Sequence, residues 1–248
     1  MVADSDPGQF PSQVSSQTSL QTCSNKILTI IHKETTIPGV VGLKLNELGY
    51  ELDTRAPIFG EPLPDDLENY AAALVFGGYM SVNDDEPYLH KEADWIRQVL
   101  AADLPYLGIC LGAQMLAKVL GAKVTTHHQA WEEIGYYPVY ATTEGEALFP
   151  PEMRLYQWHK EGFELPEGAV LLARGDTFPN QAFRWGDRAY GVQFHPEMTA
   201  DMVDFWSSQT ELLGAPNTQS RADQIAGHAQ YSDAVESWLE TFLKNWLT

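Results

Sequence analysis

A cysteine stands between two glycines where a predicted strand gives way to a predicted helix. Residues 108–114 read GICLGAQ; they follow an apolar run at 104–109 and lead into a helical pattern at 111–120. Small flanking residues allow the sharp turn that lifts a nucleophile above the end of a sheet. The helix N-terminus favours thiolate over thiol, because it carries partial positive charge. We therefore predict that Cys110 is a nucleophile and that the backbone N–H of Leu111 binds a developing oxyanion. A small buried cysteine is the alternative.

A histidine and a carboxylate leave the end of another predicted strand together. Residues 191–197 read GVQFHPE. A thiol nucleophile needs a base, and the base needs a group that fixes its ring and favours the imidazolium. His195 suits the first role and Glu197 the second, with Pro196 restricting the backbone between them. The alternative is an incidental pair in a surface turn.

A double glycine ends an earlier predicted strand at residues 70–76. Gly77 and Gly78 are followed by Tyr79 and Met80. Two residues without side chains let the backbone approach a ligand closely. Open α/β sheets bind their ligands at the carboxyl ends of strands. The pattern predicts a ligand-binding turn, and an ordinary strand-to-loop turn is the alternative.

The elements that would position these residues alternate between strand and helix. Strands are predicted at 26–33, 50–55, 70–76 and 104–109, and helices at 38–48, 87–102 and 111–120. This alternation predicts an α/β fold with a mainly parallel central sheet flanked by helices. The middle of the chain predicts a smaller antiparallel region, with strands at 132–140, 170–174, 181–185 and 189–194. Helices are expected at 199–213 and 222–247.

The charge of the chain limits its partners. Lys and Arg number 15 against 34 Asp and Glu, which gives a formal net charge of −19. Such a surface repels phosphate backbones and anionic membranes, so we expect no nucleic-acid partner and no membrane partner. The only two cysteines, Cys23 and Cys110, exclude a disulfide framework and a cysteine-rich zinc site. A reducing, cytoplasmic location follows as an expectation.

The beginning of the chain differs in composition from the rest. Residues 1–24 are rich in Ser and Gln, contain no basic residue and show no apolar run. Secretory signals and mitochondrial presequences need those features, so we predict a disordered polar tail. Residues 25–248 are then expected to form a single domain that ends in helices.

Taken together, the three motifs resemble the class I glutamine amidotransferase family. That family is marked by a glycine-rich oxyanion turn, a G-x-C-x-G-x-Q elbow and a late His-Pro-Glu. The matching segments are GGYM at 77–80, GICLGAQ at 108–114 and FHPE at 194–197. The resemblance spans about residues 26–206 and is nearest to stand-alone proteins similar to the amidotransferase part of GMP synthetase. It implies a flavodoxin-like α/β fold with no cofactor and no metal.

The resemblance also implies roles for individual residues. Cys110 would attack the side-chain amide carbon of glutamine, His195 would pass a proton to the leaving ammonia, and Glu197 would orient His195. The resulting γ-glutamyl thioester would then be hydrolysed to glutamate. The implied oxyanion-hole residues are Gly78 and Leu111, and the implied glutamine-holding residues are Met80, Gln114 and Gly135.

Two features depart from the family pattern. Tyr79 follows Gly78, where the family often has a proline that would pre-set the turn. No G-x-x-x-x-G-K-[ST] phosphate loop is present. The ammonia would then pass to a separate synthetase subunit. A stand-alone γ-glutamyl peptidase or hydrolase acting on other γ-glutamyl compounds, or a partner-dependent regulatory subunit, are the alternatives.

Three other features leave alternatives open. His159, in the segment YQWHKE, lies either at the mouth of the site or at a synthetase-facing surface, or is a packed or surface histidine. The pair His127 and His128 has no third ligand at a recognisable spacing, so we expect no metal there. Apolar spacing in residues 232–247 predicts a helix packed on its own domain, with a docking face as the alternative.

Overall fold

A computed structural model describes residues 24–34, 36–209 and 214–248 of the chain. Residues 1–23 of the predicted tail lie outside these ranges. The strands are β1 Lys26–Ile30, β2 Glu51–Arg55, β3 Ala72–Val75, β4 Tyr106–Ile109, β5 Val124–Thr126, β6 Glu133–Ala141, β7 Glu152–His159, β8 Glu161–Phe163, β9 Val170–Gly175, β10 Ala182–Trp185 and β11 Ala189–Val192. The helices are α1 Gly39–Glu47, α2 Pro87–Ala101, α3 Leu111–Val119, α4 Ala200–Ser207 and α5 Arg221–Trp246.

A nine-stranded sheet runs through the described residues in the order β2-β1-β3-β4-β11-β10-β9-β6-β7. The strands from β2 to β11 pair in parallel. Strands β3, β4 and β11 are buried at every residue, because helices cover both faces of a parallel sheet. The predicted α/β fold with a mainly parallel sheet is therefore confirmed.

Antiparallel strands extend the same sheet on one side. Strands β10, β9, β6 and β7 pair antiparallel in succession after β11, and β5 pairs with β8 in a separate two-stranded sheet. Both features belong to the predicted antiparallel region. The sequence pattern does not predict β5, β7 or β8, because exposed charged residues interrupt β7 and because its partner β6 is defined only by long-range pairing.

The helix ends follow local chemistry. Helix α2 begins at Pro87, whose missing N–H costs nothing in a first turn. The hydroxyl of Ser220 caps α5 by accepting a hydrogen bond from the backbone N–H of Asp223. Helix α4 ends at Ser207 rather than continuing to residue 213, and the hydroxyl of Ser208 bonds back to the carbonyl of Phe205. Residues 210–213 lie outside the described ranges.

The apolar face of α5 is buried within the chain itself. Helices α1 and α5 cover one face of the sheet, and α2 and α3 cover the other. The Trp238 indole donates to the carbonyl of Leu148 at 2.8 Å and stacks on Phe149 at 5.1 Å between ring centroids. It also packs edge-on against Phe194, the residue before His195. Own-domain packing is thus the observed arrangement, and α5 supports the strand end that carries His195.

None of the helices in the described ranges has the length and apolar character needed to cross a membrane.

Replacing Trp238 with Ala removes this support. We expect the free energy of unfolding to fall by about 3–5 kcal/mol, because a buried aromatic side chain is lost and a cavity remains. Denaturant unfolding measures the change. The exposed Trp131 provides the matched control, and Trp131→Ala should stay within about 0.5 kcal/mol of wild type. Equal losses in the two variants would contradict the packing role of Trp238.

Candidate active site

The three predicted motifs meet at one edge of the parallel sheet. Strand β4 lies between β3 and β11, with Val75 in register with Gly108 and Val192 in register with Ile109. Residues that follow these strand ends are therefore neighbours. A Cβ built on Gly77 would lie 2.9 Å from Cε1 of His195 and 3.5 Å from Cβ of Cys110. The glycine turn thus contacts both other motifs.

Cys110 occupies a strained turn between β4 and α3. Its φ of 51° and ψ of −104° lie in a region that side-chain-bearing residues rarely adopt. Its N–H donates to the carbonyl of Val192 at 2.8 Å. A Cβ on Gly108 would lie 2.4 Å from the backbone of Gly112, and a Cβ on Gly112 would lie 2.2 Å from the carbonyl oxygen of Val75. Only glycine fits at both positions, which explains the glycines that flank the cysteine.

His195 is fixed on one side and free on the other. Its Nδ1 lies 2.7 Å from Oε1 of Glu197, and both side chains are buried. Its backbone N–H donates to the carbonyl of Tyr156 at 2.8 Å. The second ring nitrogen, Nε2, is buried and has no hydrogen-bond partner among the described residues. A ring held by a carboxylate through one nitrogen can exchange a proton through the other.

The electrostatics of the site favour a protonated His195. Burial lowers the pKa of this imidazole, but the charges of Glu197 and Cys110 raise it more, to about 10. The ring therefore carries its proton at neutral pH. An imidazolium beside Cys110 favours the thiolate form of the nucleophile.

Two tryptophans cover the histidine. The indole of Trp206, on α4, meets the His195 ring edge to face at 5.1 Å. Trp158, on β7, packs against Trp206 at 5.6 Å. The carbonyl of Trp158 lies 4.0 Å from Sγ of Cys110. The sequence reasoning missed these contacts, because Trp158 lies on an unpredicted strand.

The predicted oxyanion and substrate residues group around the elbow, with one exception. A Cβ on Gly78 would lie 2.5 Å from Sδ of Met80 and 2.7 Å from Cδ2 of Leu111, so these three residues are adjacent. Gln114 is buried on α3 and donates to the carbonyl of Glu161 at 2.8 Å. The exception is Gly135, on β6.

Gly135 has a structural explanation of its own. Its φ is 123°, and a Cβ there would lie 2.3 Å from Oε1 of Gln219. The Gln219 amide bonds to both the N–H and the carbonyl of Tyr136, at 2.9 and 2.8 Å, as a neighbouring strand would. A side chain at residue 135 would displace Gln219. The role of Gly135 in holding glutamine stays a prediction.

Gln193 is a polar residue of the site that sequence reasoning missed. It is fully buried; its Nε2 lies 3.7 Å from Sγ of Cys110, and its Oε1 accepts from Gln114 at 3.3 Å. It therefore links the nucleophile to a predicted substrate residue. The available signal was a polar side chain within an apolar strand end, two residues before His195.

His159 packs in a buried polar network rather than lying on the surface. Its Nδ1 lies 3.0 Å from the carbonyl of Glu161, and its Nε2 lies 3.1 Å from carboxylate and amide oxygens of Glu133 and Gln157. Both ring nitrogens are thus occupied by fixed partners. This is the packed-histidine alternative.

No cluster of three or more metal-ligating side chains occurs in the ranges that the structure covers. The ring of His127 lies against those of His128 and Trp131, with centroids 4.3 and 5.2 Å away.

A methyl group at Gly77 should disturb the contact between the other two motifs. In Gly77→Ala the new Cβ would overlap the His195 ring, which Glu197 and Trp206 hold in place. We expect the rate of Cys110 alkylation by iodoacetamide to fall about tenfold or more. Gly214→Ala is the matched control, because a Cβ there meets nothing within 4 Å. An unchanged rate in Gly77→Ala would refute the close contact.

Removing the carboxylate charge should lower the pKa of His195. In Glu197→Gln the ring loses the strongest interaction that raises its pKa, so the midpoint should move from about 10 toward about 6.5, the value of a free histidine. NMR titration of the imidazole measures this. His228 is an internal control, because burial sets its lowered pKa and Glu197 does not contribute. A His195 midpoint that stays in place would contradict the electrostatic account.

Comparisons with known proteins match the geometry. The family model Glutamine amidotransferase class-I matches residues 44–204. The glutamine amidotransferase-like protein YfeJ of Salmonella typhimurium is 30% identical over 198 residues, covering 75% of this chain and 82% of that protein. Gamma-glutamyl peptidase 4 of Arabidopsis thaliana is 26% identical over 212 residues, covering 82% and 84%.

Longer proteins and a solved structure agree. The glutamine-hydrolysing GMP synthase of Aeropyrum pernix is 30% identical over 214 residues, which cover 80% of this chain but 37% of that one. The crystal structure of a glutamine amidotransferase from Thermotoga maritima matches with a TM-score of 0.82 at 31% identity, covering 90% of this chain and 97% of that one. With the family model matching more than half of its length, the chain belongs to the class I glutamine amidotransferase family.

Proposed function

We propose that this protein hydrolyses the side-chain amide of glutamine through a thioester on Cys110, producing glutamate and ammonia. The observation that supports this most is the contact of a strained-elbow cysteine with a histidine that a buried glutamate holds through its other ring nitrogen. Family membership supplies the substrate class. Neutral glutamine also suits a chain of net charge −19, since it needs no basic phosphate site.

In the first half of the reaction, the Cys110 thiolate attacks the amide carbon of the glutamine side chain. The amide oxygen becomes negatively charged and receives hydrogen bonds from the N–H groups of Gly78 and Leu111. Leu111 suits this role because the first N–H groups of a helix have no partner within the helix. His195 donates its proton to the leaving nitrogen, the C–N bond breaks, and ammonia departs.

In the second half, water attacks the γ-glutamyl thioester. The neutral His195 formed in the first step takes a proton from this water, and Glu197 stabilises the imidazolium that results. Breaking the C–S bond releases glutamate and restores the thiolate–imidazolium pair. The sum is glutamine plus water giving glutamate plus ammonia.

A separate synthetase is the proposed acceptor of the ammonia. The GMP synthase of Aeropyrum pernix extends well beyond the part aligned with this chain, which covers 37% of it. A chain that matches only that part would supply ammonia to a second protein. The proposal includes a cytoplasmic location, where a free catalytic thiol stays reduced.

A γ-glutamyl peptidase is the second candidate. Gamma-glutamyl peptidase 4 aligns over 84% of its own length. The same thioester steps would cleave a γ-glutamyl peptide bond, with an amino acid leaving in place of ammonia. The two candidates therefore differ in the leaving group that the site accepts.

The decisive test is turnover of glutamine and of γ-glutamyl dipeptides by purified protein. We expect ammonia release from glutamine by wild type and by Cys23→Ala, and none above background by Cys110→Ala, because no other residue supplies the nucleophile. A strong preference for dipeptides would favour the peptidase. Equal activity in wild type and Cys110→Ala would overturn both candidates. Activity that appears only when a synthetase is added would identify a partner-dependent subunit.

A further inference from the structure

A buried ion pair lies beside the glycine turn and takes no part in the proposed reaction. His32, just after β1, and Glu92, on α2, are both fully buried. Nε2 of His32 lies 3.1 Å from each carboxylate oxygen of Glu92. Nδ1 of His32 lies 3.3 Å from the carbonyl oxygen of Gly77. The pair therefore connects helix α2 to the glycine turn.

The partners of His32 fix its charge. Carboxylate and carbonyl oxygens only accept hydrogen bonds, so the ring can satisfy both sides only when both nitrogens carry a proton. Burial lowers the pKa of His32, but the charge and hydrogen bonds of Glu92 and the backbone carbonyls raise it more. His32 is thus an imidazolium that donates to Gly77.

A buried ion pair needs a reason other than stability. Taking both charges out of water is expensive, and apolar residues of similar volume are often at least as stabilising. The position of His32 beside the glycine turn suggests what the pair does there.

The hydrogen bond to Gly77 sets the direction of the next N–H group. The carbonyl of Gly77 and the N–H of Gly78 belong to one planar trans peptide, so they point in opposite directions. When the carbonyl points at His32, the N–H points away from it. A Cβ on Gly78 would lie 2.9 Å from Cβ of His32 and 2.7 Å from Cδ2 of Leu111, so Gly78 lies between them. The N–H of Gly78 is therefore directed away from His32, toward the cysteine elbow.

The glycine turn needs such a device. Glycine adopts many backbone conformations, so a Gly77–Gly78 peptide without support can rotate. The next residue, Tyr79, is 75% exposed and does not restrict the turn as a proline would.

We propose that the His32–Glu92 pair positions the oxyanion hole: His32 holds the Gly77 carbonyl, and this holds the N–H of Gly78 toward the substrate oxygen. The inference rests on the proposed function, in which Gly78 donates to that oxygen. His32 is a positioning residue, since it acts through the peptide and does not touch the substrate.

Two double variants test this with one atom group in difference. His32→Leu/Glu92→Leu removes both charges together, so no unpaired buried charge is left to unfold the protein. His32→Asn/Glu92→Leu also lacks both charges, but the Asn amide nitrogen can occupy the position of Nδ1 and donate to Gly77. We expect the first variant to lose about 10- to 100-fold in kcat for glutamine, with KM within about twofold, and the second to recover most of the loss.

Two further measurements separate positioning from general damage. Alkylation of Cys110 by iodoacetamide passes through no oxyanion, so its rate should match wild type in both variants. The glutamine analogue with an aldehyde in place of the amide forms a tetrahedral adduct with the thiol, and its affinity should fall in parallel with kcat.

Each contrary result has a distinct meaning. Wild-type kcat in the Leu/Leu variant, no recovery in the Asn/Leu variant, or a parallel loss of alkylation would overturn the positioning role and leave the proposed function intact. Absence of turnover of both glutamine and γ-glutamyl dipeptides by the wild-type protein would overturn the proposed function, and this inference with it.

Discussion

Parallel pairing of β4 with β3 on one side and β11 on the other is the constraint on which the site depends. Because the three strands end at the same edge, the residues after them must be neighbours: the glycine turn, Cys110 and His195. The close fit of Gly112 against the carbonyl of Val75 then fixes the start of α3. The strained backbone of Cys110 is held by these contacts, and α5 supports the strand end behind His195.

Three histidine–glutamate pairs are buried in the described part of the chain, and their partners distinguish them. His32 and His159 have both ring nitrogens bound to fixed oxygen atoms. His195 has a buried Nε2 without a hydrogen-bond partner, next to a cysteine. Proton transfer needs a free nitrogen beside a reacting group, so the geometry singles out His195 for that role. The other two pairs hold backbone in place.

The sequence predicted those parts of the molecule that local patterns encode. Apolar runs, glycines and helix spacing were sufficient for the parallel strands, for α1 to α3 and α5, and for the three motifs that meet at the sheet edge. Strand β7, the Gln193 contact with Cys110 and the His32–Glu92 pair depend on residues far apart in the chain. No local periodicity marks such contacts, because long-range pairing and burial create them. Gly135 shows the converse: its glycine is explained by Gln219, which local sequence does not reveal.

The central claim is that Cys110 carries the γ-glutamyl group during turnover. Acid quenching of the wild-type protein within the first turnovers of glutamine, followed by mass spectrometry of its peptides, tests this directly. The account predicts a γ-glutamyl adduct on the peptide that contains Cys110, and none on the peptide that contains Cys23. Glutamate formation without any adduct on Cys110, or an adduct on Cys23 instead, would contradict it.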